Sequence, residues 1–84
     1  RMKILYFAWV REKAGMAEEE VSPPDSVSDV GTLIEWLRSR GDNYADALYD
    51  SDVVKVAVNQ DYANLDYPVK DSDEVAFFPP VTGG

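Results

Sequence analysis

Glu74-Val75-Ala76-Phe77-Phe78-Pro79-Pro80-Val81-Thr82-Gly83-Gly84 is the stretch on which the fold turns. The apolar run Val75 to Phe78 reads as a strand, and two prolines follow it at once. Proline lacks a backbone N–H and has a fixed φ, so it cannot extend a central ladder. It also pushes its predecessor toward extended geometry. The strand is therefore expected to end near Phe78, dividing the chain into a folded body over 1–78 and an extended tail over 79–84. Val75 and Phe77 share one face of this strand, and Ala76 and Phe78 the other. With Glu74 turned outward, Phe78 is outward too, at the root of the tail.

Six residues of extended chain, Pro79 to Gly84, reach about 20 Å. The tail narrows along its length, from Pro79, Pro80, Val81 and Thr82 to Gly83 and Gly84. Two glycines make the thinnest possible polypeptide and let the backbone approach another surface closely. Read as the end of the chain, Gly84 offers one functional group, its α-carboxylate. A slim arm ending in a carboxylate suits insertion into another protein's narrow site. The plain alternative is a frayed Gly-rich terminus. The Phe-Phe-Pro-Pro lead-in favours the functional reading, because a frayed end needs no stiff, directed exit.

Composition narrows the chemistry. Eighty-four residues suffice for one domain, and 45% hydrophobic content with 12% aromatic content argues for a folded chain. There is no cysteine, which excludes disulfides and thiolate metal sites. There is no histidine, which removes the commonest general base and zinc ligand. The formal charge of −8 argues against nucleic acid and anionic lipid as partners, since both are bound by Lys and Arg. It is compatible with steering toward a basic protein patch, or simply with solubility. No stretch suits a membrane span and no signal peptide is visible, so a cytoplasmic location is expected. Arg1, which precedes Met2, is left out of the fold reading.

The rest of the chain supplies partners for the last strand. Lys3 to Val10 is rich in aromatic and β-branched residues and reads as a strand. Ile4, Tyr6 and Ala8 fall on one face; Lys3, Leu5, Phe7 and Trp9 fall on the other. Lys3 is costly in a core, so its face is expected outside. That places Phe7 and Trp9 outside, as a partner surface would require. Arg11-Glu12-Lys13-Ala14-Gly15 reads as a charged turn or short helix stopped by Gly15. Glu18 to Val21 suits a short second strand whose glutamates form a solvated edge.

Val30, Leu33, Ile34 and Leu37 then follow the i, i+3, i+4, i+7 pattern of the main helix. Ser28 is its expected N-cap and Gly41 its stop. Gly31 is expected to weaken its first turn. Asp42 to Ser51 suits a short helical turn. Val54, Val56 and Val58 alternate with polar or small residues as a strand. Asn59-Gln60-Asp61 is a turn, Tyr62 to Leu65 a short edge strand, and Asp71-Ser72-Asp73 the last turn. The order predicts an α+β fold: a mixed sheet of about five strands with one main helix on one face. First and last strands are expected to be central, adjacent and parallel, as in the ubiquitin-like β-grasp. The carboxylates of Asp71 with Asp73, or of Glu18 to Glu20, are better read as solvated surface than as a metal site, and none is assigned.

These residues resemble a known family, the small sulfur-carrying subunits of molybdopterin synthase (MoaD type), in the MoaD/ThiS branch of ubiquitin-like proteins. The likeness lies in Lys3-Ile4-Leu5-Tyr6-Phe7-Ala8, Val10-Arg11-Glu12 and Gly15, then Val56-Ala57-Val58-Asn59-Gln60, and most specifically Asp73 through Gly84. Ser72 stands where the family usually has glycine. The resemblance implies that Gly84 is adenylated with ATP by an activating enzyme like those of ubiquitin systems. The adenylate is then converted to a thiocarboxylate, which donates sulfur to a pterin precursor. It implies a nucleotide-using partner but no cofactor held by the chain itself. It further implies a heterotetramer with the large synthase subunit, and Phe7, Arg11 and Phe78 at the partner interface. The chain would be one part of an enzyme, not a catalyst alone. Two other readings share the fold: a carrier for another product, such as the thiazole of thiamin, and a ubiquitin-like protein modifier or binding module.

Overall fold

A computed structural model describes residues 1–80. Val81, Thr82, Gly83 and Gly84, the greater part of the expected tail, lie outside the described residues. The chain runs β1 (Met2–Tyr6), α1 (Ala8–Ala14), β2 (Glu18–Val21), α2 (Val30–Arg38), α3 (Asp42–Ala47), β3 (Lys55–Val58), β4 (Asp61–Ala63) and β5 (Glu74–Phe78). The sheet order is β2-β1-β5-β3-β4. Strands β1 and β5 pair in parallel at the centre, with Ile4 opposite Val75 and Tyr6 opposite Phe77. The other pairings, β1–β2, β3–β5 and β3–β4, are antiparallel. The expected α+β sheet with its main helix, and the central parallel pair, are what the chain forms.

The two faces of the sheet separate by the period of 2. Ile4, Val75 and Val58 lie in one row across the strands, and Tyr6, Phe77 and Val56 in the next. All six are at most 5% exposed and pack with Leu33 and Leu37 of α2 and Val10 of α1. Tyr6 and Phe77 stack with ring centroids 6.0 Å apart. Helix α3 packs against α1 and α2.

Several local expectations are corrected. The first strand stops at Tyr6, and Ala8 to Val10 belong to α1. Ala8 has a φ of 53°, a left-handed value that a strand cannot contain. Trp9 is therefore not on the outer sheet face; it is half-buried on α1, with its ring 6.5 Å from Tyr49. Gly15 does close this helix, at a φ of 82°, with its N–H donating to Arg11 O.

Helix α2 is capped by Asp29, not Ser28. The Asp29 Oδ1 accepts from the Thr32 N–H at 2.8 Å, and Thr32 Oγ1 accepts from the Asp29 N–H at 3.1 Å. This reciprocal box satisfies two donors that a Ser28 cap would leave bare. The Thr32 N–H holds the Asp29 carboxyl below the usual range. Gly41 does not stop α2; Ser39 is the C-cap and Gly41 precedes α3. Gly31 has a use that helix propensity hides. Its N–H donates to Leu65 O at 2.8 Å, and a Cβ there would sit 3.3 Å from that oxygen. The 64–69 loop thus lies on the first turn of α2 and takes up N–H groups that have no partner within the helix.

The turns follow residue chemistry. Asn59 and Gln60 join β3 to β4 with φ of 51° and 73°. A two-residue hairpin loop with positive φ at both positions matches the strand twist, and Asn tolerates it. The Asn59 side chain then ties this turn to β5: Oδ1 accepts from Glu74 N at 3.0 Å, and Nδ2 donates to Asp73 Oδ1 at 3.0 Å. Asp73 is 5% exposed, and its other oxygen accepts from Lys70 N at 2.9 Å. Ser72 meets the turn without positive φ, so no glycine is required there.

Candidate functional site

The outer face of the sheet is built by the residues that alternate with the core. One row across the strands runs Leu5, Ala76, Ala57, Tyr62. At the end of the sheet nearest the tail stand Phe7, Phe78 and Lys55, the last two directly paired. All keep some solvent exposure; Phe7 is 48% exposed and Tyr62 78%. The Tyr62 and Phe78 rings lie 5.9 Å apart. Apolar groups gathered on one open face make it a candidate contact surface.

Phe7 is fixed from both sides. Its φ and ψ of −124° and 152° continue the strand, and its N–H donates to Phe77 O at 3.0 Å. Its carbonyl accepts from the Val10 and Arg11 amides, which starts α1. Phe78 is the last residue of β5, and Pro79 and Pro80 continue from it outside any strand. Arg11 is exposed on α1 and makes no ion pair among the described residues. The structure thus brings Phe7 and Phe78 to one end of one face and leaves Arg11 on the helix beside it. Gly83 and Gly84 lie outside the described residues, as do Thr82 and Val81.

Sequence reading placed Leu5 on this outer face with Phe7 but missed Tyr62 as a member of it. Tyr62 sits in a three-residue strand too short for alternation to show. The register that carries it onto the same row as Leu5 exists only once β5 and β3 lie between them.

The acidic segments do not assemble a metal site; no group of three potential ligands gathers among the described residues. Glu19, expected as part of a solvated edge, is instead a structural acceptor. Its Oε2 accepts from Tyr6 OH at 2.9 Å, and its Oε1 from Tyr44 OH at 3.2 Å and Arg40 at 3.1 Å. The Arg40 guanidinium lies over Trp36 and Tyr44, at 5.1 and 4.8 Å from the ring centroids. Burial, then the bond to Glu19, pushes the Tyr6 phenol far above its ordinary range and the Tyr44 phenol up as well.

The sign follows. Folding favours the neutral phenols, so their stabilisation is complete below about pH 10, where the unfolded phenols titrate. It is lost as pH rises above that toward the folded values. Tyr6→Phe is expected to cost about 1 kcal/mol near neutral pH, through the lost bond to Glu19. It should also shallow the decline above pH 10. Urea midpoints at neutral and alkaline pH check both; an alkaline limb as steep as the parent's would assign the loss elsewhere.

The profile of the ThiS family matches residues 4–84. The molybdopterin synthase sulfur carrier subunit of Escherichia coli (strain K12) is 43% identical over 83 residues, spanning 99% of each chain. Among solved structures, a Pyrococcus furiosus protein provisionally described as molybdopterin converting factor, subunit 1, superposes with a TM-score of 0.77. It is 38% identical and covers 95% of this chain and 97% of its own. The H. volcanii small archaeal modifier protein 1 also gives 0.77, at 27% identity over 95% of this chain and 97% of its own.

Proposed function

The chain belongs to the ThiS family, and from that premise we propose that it is the sulfur-carrier subunit of molybdopterin synthase. Likeness at 43% identity along 99% of the chain to a subunit of that name supports this reading over the modifier reading, which rests on 27%. The geometric observation that carries it is the exit of β5. Phe78 leaves the sheet at the border of an open apolar face, so a partner seated on that face is positioned to receive the tail.

The division of labour follows from composition. Without His or Cys, the carrier brings an acyl carbon and leaves acid–base work to its partners. In an activating enzyme of the ubiquitin type, a Gly84 carboxylate oxygen attacks the α-phosphorus of ATP and pyrophosphate departs. A sulfur donor then displaces AMP from the acyl carbon, leaving a thiocarboxylate. The sulfur of that soft nucleophile bonds to a carbon of the pterin precursor held by the large subunit as an oxygen substituent leaves that carbon. Water then cleaves the acyl carbon–sulfur bond, leaving the sulfur on the pterin and restoring the Gly84 carboxylate. The dithiolene needs two sulfurs, so carriers act in succession, consistent with a heterotetramer bearing one carrier at each end. Leu5, Phe7, Tyr62 and Phe78 dock the body, Arg11 and Lys55 border that surface, and Pro79 to Gly83 thread the partner's channel. The work belongs in the cytoplasm, where ATP is available.

Intact-mass measurement tests the reading. Protein taken from its native cell should include a fraction in which one sulfur replaces one oxygen, and that fraction should vanish on reaction with precursor and large subunit. Lysine conjugates on larger proteins, with no sulfur-bearing form, would favour the modifier instead.

A further inference from the structure

We propose that Ala8 is a positioning residue for docking: its left-handed backbone turns the chain out of the sheet just after Phe7, so the Phe7 ring and not the Trp9 indole stands on the docking face. This rests on the reading of the outer sheet face as the docking surface. Among the described residues, three non-glycine positions have positive φ, and two of them, Asn59 and Gln60, form the hairpin loop that requires it. Ala8, at 53°, lies in no hairpin. It opens α1 directly after the extended Phe7, in a conformation where the Cβ of an L-residue crowds the next carbonyl.

Such a conformation persists only where its surroundings over-determine it. Here they do. On one side the Phe7 N–H is bonded into the sheet through Phe77 O. On the other, the Phe7 carbonyl accepts from Val10 and Arg11, and α1 is anchored by Val10 and Ala14, 0% and 2% exposed. The joint between these two anchored pieces is Ala8. Had the strand continued, alternation would place Trp9 on the same face as Phe7. The turn instead sends Trp9 toward Tyr49 and leaves Phe7 beside Phe78 at that corner, hydrogen-bonded to the strand that leads to the tail.

The test is a double-mutant cycle on the full chain, read as affinity for the large synthase subunit at a temperature where circular dichroism shows every variant folded. Ala8→Val, β-branched and least tolerant of positive φ, is expected to weaken binding at least tenfold. In a Phe7→Ala background the same change is expected to alter affinity less than twofold, because the ring it misplaces is gone. Ala8→Leu, which is not β-branched, takes its place if the valine protein does not fold. D-alanine introduced at position 8 by semisynthesis favours positive φ, and should melt higher than the parent while binding as tightly. An equal loss with and without Phe7, or no loss, overturns the proposal; so does a D-alanine protein that melts lower. A parent that does not bind the large subunit at all would instead sink the docking reading, and the D-alanine melting result stands apart from that outcome.

Discussion

Deleting Gly84, or adding residues beyond it, is expected to abolish sulfur transfer while leaving the fold unchanged. The reaction proposed for this chain happens at one acyl carbon, and no other described group is arranged to replace it. A truncated chain would present Gly83 one residue short, a deficit of about 3.3 Å in reach. Misplacement of a reacting atom by even about 1 Å can cost roughly a hundredfold. An extended chain would carry its carboxylate past the site where it is activated. Neither change touches the core, whose described members end at Phe77. Melting temperature should therefore match the parent, while product formation from the pterin precursor falls to background in a reconstituted assay. Product made by an extended form shown by mass to be uncleaved would end the tail mechanism.

The second large effect is expected at the open sheet face. Phe78→Asp, or Tyr62→Asp, should weaken the complex with the large subunit by about 3 kcal/mol, roughly a hundredfold in dissociation constant. A buried aromatic anchor is lost, and a carboxylate is left to be desolvated in its place. Tyr62 is the cleaner site. At 78% exposure its side chain contributes little to the isolated fold, so a binding loss there is not a stability loss in disguise. Phe78 touches the Tyr62 ring, so the two changes should combine with less than their summed effect. Titration calorimetry giving parent-like affinity for both variants would move the docking surface off this face.

Much of this arrangement is legible in the residues, and the failures share a cause. The helix stripe of Val30, Leu33, Ile34 and Leu37 is buried as its spacing predicts, because a 3.6 period over nine residues has few competing explanations. The alternation in β5 likewise places Val75 and Phe77 inside. Lys3 to Val10 misled because period-2 alternation runs on past Tyr6, while the event that ends the strand is a single backbone angle at an alanine. Gly31 looked like a weak point because propensity counts only the helix, whereas its neighbour across space is the carbonyl of Leu65. Glu19 looked solvated because its adjacent residues are glutamates, whereas its partners, Tyr6, Tyr44 and Arg40, lie 13 to 25 residues away.

The residues themselves set which of them seek the core, where the last strand gives way to proline, and that whatever chemistry the chain performs works without imidazole or thiol. Those are properties of composition and of contacts within a few residues. Long-range assembly, in contrast, is what brings Tyr62 to the face of Phe7 and Phe78 and takes Trp9 off it. Leu5, Ala76, Ala57 and Tyr62 become a row only when four strands assemble in one register, and Trp9 leaves the face that Leu5 and Phe7 share only because the chain turns at Ala8. The register that carries Tyr62 onto the row of Leu5 runs through pairings between strands from opposite ends of the chain, and no pattern within a few residues encodes it.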